Sequence, residues 1–176
     1  MIISNNAQKV LKIFHLFAIS FWMGGEFALL VLLHASTYAQ SSGELFGILK
    51  SYHFVSIVVA VYLGAYGSLF TGLAYSLCTN RGFFRHKWII LKWVMTIGMI
   101  VFGSLFLGKW STALLESASE LGLNALQDSE FLRLHALHIK ALIVYLALFG
   151  LSTVLSVFKP WEIRELAAQQ GRLWSI

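Results

Sequence analysis

The sequence is poor in cysteine, proline and charge. It has one Cys, one Pro and 12% charged residues. Cys78 stands alone, which excludes an intrachain disulfide and any metal site built on paired thiolates. A soluble domain carries about 25% charged residues; this chain has half of that, with 58% hydrophobic residues and a mean hydropathy of +0.74. That balance excludes an ordinary soluble domain. No nucleic-acid-binding motif is present, so the net charge of +5 is assigned to loops facing anionic headgroups rather than to a nucleic-acid partner. A single proline and 15% aromatic residues fit a compact helical membrane protein, and 176 residues allow one domain, 1–176.

What is present is apolar runs. Four of them, about 13–33, 54–77, 88–107 and 136–158, come near the ~20 residues that a bilayer crossing needs. They predict an all-α four-helix transmembrane bundle with up-down-up-down topology. The first run is too long for a cleavable signal peptide, holds His and Glu, and is followed by no clear A-x-A site. Gly43 falls in the first connection and Asn80-Arg81-Gly82 predicts a tight second turn. In the third and longest connection, STALLESASELGLNALQDSEFL repeats Leu at helical spacing and predicts a short amphipathic helix on the membrane surface. Pro160 stops the fourth helix, and the tail beyond it, with Trp161 and Trp174, reads as an interfacial segment.

Lys and Arg set the orientation. Lys9, Lys12, Arg81, Arg85, Lys87, Lys159, Arg164 and Arg172 fall on one side; Lys50, Lys109 and Arg133 fall on the other with five acidic residues. The positive-inside rule then places both termini in the cytoplasm.

The first run also carries ionisable residues. His15 to Trp22 is seven residues and His15 to Glu26 eleven, offsets of about −20° and +20° on a helix, so the three share one face. A polar stripe on a membrane helix faces protein rather than lipid. Gly24 and Gly25 leave room beside it. The second run carries Ala60, Gly64, Ser68 and Gly72 at spacing four, a ridge for close helix contact. Depth sorts the remaining candidates. His15 and Lys92 lie near the inner end, whereas His34, His53, His135 and His138 lie near the outer end, with His86 at the inner mouth of helix three. His34 and His135 read as interfacial. Met95 and Met99, on the Lys92 face, read as core filler, and so do Tyr75 and Cys78.

Two ligands facing each other across a bundle suit a planar haem, and a lysine can ligate once its ammonium has lost its proton. Glu26 needs a partner, because a charge at mid-bilayer costs about 2.5–3.5 kcal/mol on insertion scales. Lys92 lies about 13 Å from it in depth by helical rise. The sequence therefore points to His138, which shares a stripe with Tyr145 and Ser152, with Lys140 extending toward the surface. The alternative is a Glu26 that keeps its proton and donates it to a carbonyl.

His15-x6-Trp22-x-Gly24-Gly25, followed by Trp88-x3-Lys92, resembles the pattern of a group of small four-helix bacterial membrane proteins. That group includes the copper-resistance protein D family and the HemJ-type protoporphyrinogen oxidases. The resemblance covers about a quarter of the chain, helix one and the start of helix three. It implies that His15 and Lys92 are the axial ligands of a b-type haem. The chain departs from the oxidase pattern where Glu26 stands in the helix in place of an Arg after the Gly step, and in lacking the Met-Arg stretch and the Pro-Gly opening of helix two. The outer histidines resemble, more loosely, those of four-helix di-haem b-type cytochromes linked to quinol.

The expectation is a membrane b-type haem protein, with one or two haems, that exchanges electrons with a quinone or a porphyrinogen. In it His15 and Lys92 ligate an inner haem, with Trp22 and Gly25 beside it. His53 and His138 ligate a second haem or a metal, and Glu26 is the catalytic proton carrier. The alternative is a non-enzymatic protein that handles copper or another ion through His, Met and Glu. Copper(I) prefers Cys and Met sites, and Met95 and Met99 are the only close Met pair.

Overall fold

The chain, seen in a computed structural model, is described for residues 4–78 and 87–158. Those residues are helical almost throughout and contain no strand. Helix α1 is Asn5–Ser36, α2 is Ser42–Val55, α3 is Gly67–Cys78, α4 is Lys87–Phe102, α5 is Gly108–Leu121 and α6 is Ser129–Phe158. A π-helical segment, Ser56–Tyr66, joins α2 to α3 without a break, and another, Gly103–Leu107, joins α4 to α5. The result is four rods. All four, Asn5–Ser36, Ser42–Cys78, Trp88–Gln127 and Ser129–Phe158, are long and apolar enough to cross a membrane.

Local chemistry sets the visible ends. Ser4 caps α1 by accepting from the Ala7 amide at 3.3 Å. Ser41 caps α2 by accepting from the Glu44 amide, while the Glu44 carboxylate reaches back to the Gln40 amide at 2.7 Å. Such reciprocal bonds satisfy amides that have no partner inside the helix. Asp128 caps α6 through the Phe131 amide at 2.8 Å. Gly122 ends α5 at φ +55°, a conformation that favours glycine. A Cβ there would also sit 2.5 Å from Ser42 Oγ, the atom that accepts from the Leu123 amide.

Rods one and two are held together by small residues. A Cβ on Gly64 would lie 2.5 Å from Trp22 Cα; one on Gly25 would lie 3.2 Å from Ala60 Cα. Gly67 meets Ala18 and Gly72 meets His15 in the same way. The partners run in opposite order along the two rods. This is the close backbone approach that small residues allow between apolar helices, and the expected ridge of Ala60, Gly64 and Gly72 lies on it.

Two expected features are corrected. The first connection is not 34–53 but the few residues between Ser36 and Ser42, because α2 extends rod two. The amphipathic stretch after Lys109 is not a separate helix lying on the membrane surface: it is α5, continuous with α4, and its stripe of Ser111, Leu114 and Ala118 is buried against α2 and α6. Periodicity correctly reported an apolar face, but protein covers it. The predicted turn at Asn80-Arg81-Gly82, the stop at Pro160, the interfacial tail and His86 lie outside the described residues.

Candidate functional site

Glu26 is 3% exposed at the middle of α1. Its Oε1 accepts from the Trp22 indole at 3.2 Å, and its Oε2 has no partner among the described residues. The Trp22 ring is itself fixed edge-on against Phe149, with centroids 5.0 Å apart. The expected pairing of Glu26 with His138 is thus replaced by a bond to a residue four positions earlier on the same helix. The reason is local: residues i and i+4 stack on one face, and an indole N–H can only donate. Tyr52 and Tyr145 lie within electrostatic reach of the carboxyl. Lys140 is exposed.

At the end of the bundle opposite the 37–41 connection, His15 and Lys92 come near enough for their charges to interact. His15 Nδ1 is 2.8 Å from Thr71 Oγ1 on α3. The single hydroxyl proton of Thr71 is already given to the Gly67 carbonyl at 2.6 Å. The hydroxyl oxygen therefore accepts, His15 carries its proton on Nδ1, and the lone pair of Nε2 is left for a ligand. Lys92 repeats the device: Nζ donates at 2.8 Å to Ser156 Oγ, whose own proton goes to the Ser152 carbonyl. Lys92 Nζ also lies 6.0 Å from the Trp88 ring centroid. The backbone of α4 packs against α6, whereas that of α3 packs against α1. His15 and Lys92 are thus held by hydroxyls from two different helices, Thr71 on α3 and Ser156 on α6.

The glycine step is used differently from the expectation. The space at Gly25 is taken by Ala60, and Gly24 faces outward with nothing within 4 Å of a Cβ. Both Gly25 and Trp22 therefore serve the contact between rods one and two, instead of leaving room beside the stripe.

The outer histidines do not form one cluster. His53 Nδ1 pairs with Ser111 Oγ at 2.9 Å. His138 is 1% exposed, edge-on to Tyr52 at 5.4 Å and to Trp110 at 5.7 Å, with its Nδ1 unpartnered among the described residues. Leu142, Leu114 and Tyr52 are buried in one core cluster. No group of three or more His, Cys, Asp or Glu among the described residues could hold a metal. His135, expected at the interface, is buried, and its Nε2 donates to the Leu33 carbonyl at 2.9 Å. His34 is exposed beside Tyr38.

Sequence reasoning missed Thr71, Ser156 and Ser111. The available signal was their type: Thr71 and Ser156 bond back to a carbonyl one turn earlier and then present their oxygens as acceptors, and Ser111 is a hydroxyl at a buried helix position. Which histidine or lysine it meets depends on the neighbouring helix. Compared with family models, curated proteins and solved structures, the chain finds no match.

Proposed function

We propose that this is a multi-pass protein of a bacterial inner membrane, up-down-up-down with both termini cytoplasmic, that holds one b-type haem between His15 and Lys92 and exchanges electrons with a quinone or a porphyrinogen. The observation that carries the reading is the bond of His15 Nδ1 to Thr71, whose own proton is committed to the Gly67 carbonyl, which leaves the Nε2 lone pair for a ligand within electrostatic reach of Lys92. Metal-bound histidines are held in this way through their second ring nitrogen. Lys92, bonded to Ser156, would be the second ligand once its amine is neutral.

The haem supplies one-electron exchange, and the protein tunes it through ligand identity, hydrogen bonding and burial. Thr71 keeps the proton of His15 on Nδ1. Ser156 keeps Lys92 from turning to the lipid. Glu26 lies eleven residues beyond His15, roughly 16 Å along the helix, so it touches neither ligand. Its part is to hold a proton in the interior, where reduction of a quinone consumes protons as well as electrons. His53 and His138 are not assigned a second haem, because their rings are occupied by Ser111, Tyr52 and Trp110. Among the described residues, no group of three or more His, Cys, Asp or Glu favours copper or ion handling.

The test is the visible spectrum of the purified full-length protein. A Soret band with reducible α and β bands supports the reading, and a colourless protein overturns it. His15→Ala should lose most bound haem. Lys92→Ala should keep part of it with a shifted spectrum and midpoint potential, since water or another group fills one axial position. Wild-type haem content and potential in both variants would end the assignment. The topology is tested separately: reporter fusions after Gly82 should read cytoplasmic and fusions after Leu121 external, and the reverse pattern inverts the protein.

A further inference from the structure

Glu26 Oε2 and His138 Nδ1 are two buried polar atoms without a hydrogen-bond partner among the described residues. Their residues are 3% and 1% exposed. Nearly all buried polar groups are satisfied by protein or by ordered water, and an unsatisfied one in a low-dielectric core is costly. Two of them in one small core point to water between.

Two contacts fix the register of α1 against α6: Trp22 meets Phe149 with centroids at 5.0 Å, and the Leu33 carbonyl accepts from His135 at 2.9 Å. Interpolating between them puts Glu26 level with the Leu142–Tyr145 turn and His138 roughly 8 Å nearer the 37–41 connection by helical rise. That is too far for a direct hydrogen bond. Tyr52, from rod two, borders both: its ring centroid is 5.4 Å from that of His138, and it is within electrostatic reach of Glu26. Beyond His138, His135 is within electrostatic reach in turn and leads to the end of α1 at Ser36.

The other polar groups around this line are already committed. Trp22, on α1, donates to Glu26 itself. Tyr145, on α6, donates to the Met99 carbonyl at 2.5 Å. His53, on α2, is bonded to Ser111, and the face that rod three presents to His138 is the Trp110 ring. Lys140 is exposed.

We infer that Glu26, the Tyr52 hydroxyl and His138, bridged by ordered water, form a buried proton path from the 37–41 end of the bundle to its centre. The path does not depend on a haem at His15 and Lys92. The carboxylic acid, the phenol and water each donate and accept, and the His138 ring accepts at one nitrogen while it donates at the other, so a proton arriving at His138 is matched by one passed on toward Glu26.

The experiment is infrared spectroscopy of the full-length protein in nanodiscs, following hydrogen–deuterium exchange of the carboxylic-acid C=O band of Glu26. Glu26→Gln should remove that band and so identify it. Tyr52→Phe and His138→Phe should each slow its exchange by about tenfold or more, the effect of one lost hydrogen-bonded step on a rate. Tyr145→Phe should leave the rate unchanged. Tyr52→Phe removes one oxygen and keeps the packing, so it decides even where His138→Phe disturbs the fold. An unchanged rate in Tyr52→Phe overturns the path. So does the absence of any Glu26-dependent carboxylic-acid band at neutral or mildly acidic pH.

Discussion

The two ends of the bundle are built on different principles. At the end that carries the 37–41 and 122–128 connections, Leu33, Leu45, Leu49, Leu114, Ala125, Phe131 and Leu142 are all 0–1% exposed, and the two buried histidines are enclosed with them. At the end that carries His15 and Lys92, α3 buries only Ser68 and α4 only Met99 among the described residues. Ile90, Val94, Ile97 and Val101 of α4 are exposed. The first end completes its own core. The second brings a histidine and a lysine within electrostatic reach, each held by a hydroxyl from a neighbouring helix. The tight packing is concentrated at one end and the candidate haem ligands at the other, as expected when functional groups sit in the less tightly packed part of a fold.

The comparison can be broken or sharpened by substitution. The largest effect is expected where the rods meet. Gly64→Ala puts a methyl 2.5 Å from Trp22 Cα, against backbone that cannot yield, so rods one and two must separate. Overpacking of this kind costs about 1–3 kcal/mol and can cost more. Gly24→Ala, with open space at its Cβ, is the matched control and should keep the wild-type melting temperature in detergent. Equal behaviour of the two would remove the close contact from the fold.

Next comes the packed core. Leu142→Ala, at a fully buried site, should destabilise by about 2–5 kcal/mol, read as a lowered denaturation midpoint. Ile97→Ala, on the exposed face of α4, should change that midpoint by less than about 0.5 kcal/mol. A reversed order would mean that the His15 end carries the stability.

The third test separates chemistry from stability. Thr71→Val removes the acceptor of His15 Nδ1 while keeping the shape. Haem affinity should fall about 10–100-fold, the usual effect of losing an orienting partner of a metal ligand, with the melting temperature of the haem-free protein little changed. An equal loss in Ser111→Ala, which removes the partner of His53, would place the cofactor at the other end. The sign of the pH response follows from basicity. Lysine binds a proton more tightly than imidazole, so acidification should displace Lys92 before His15. The spectrum should then convert first to that of Lys92→Ala. The smallest effect is expected at the exposed Glu130–Arg133 pair: Arg133→Ala should alter neither haem content nor melting temperature measurably.

Part of this architecture was legible in the sequence. Apolar runs located the four rods, and the spacing of Ala60, Gly64 and Gly72 located the contact face, because both depend on side chains within one helix. The shared face of His15, Trp22 and Glu26 was legible for the same reason. The bond from Trp22 to Glu26 could have been read from their four-residue spacing. The fate of α2 and α5 was not legible. Polar residues at Ser42–Val55 and Gly108–Leu121 resemble surface segments, yet each packs its apolar stripe on the other and extends a rod.

Sequence by itself determined the four apolar helical runs, which of their faces are apolar or polar, and where side chains of ligating or proton-holding type stand along them. These follow from backbone geometry and side-chain chemistry within a few turns. Tertiary structure alone decided which of those residues meet. It turned Gly25 to Ala60, gave Thr71 to His15 and Ser156 to Lys92, and enclosed His138 between Tyr52 and Trp110. A hydrogen bond between helices depends on their relative rotation and offset to within an ångström, and no periodicity within a single helix carries that information.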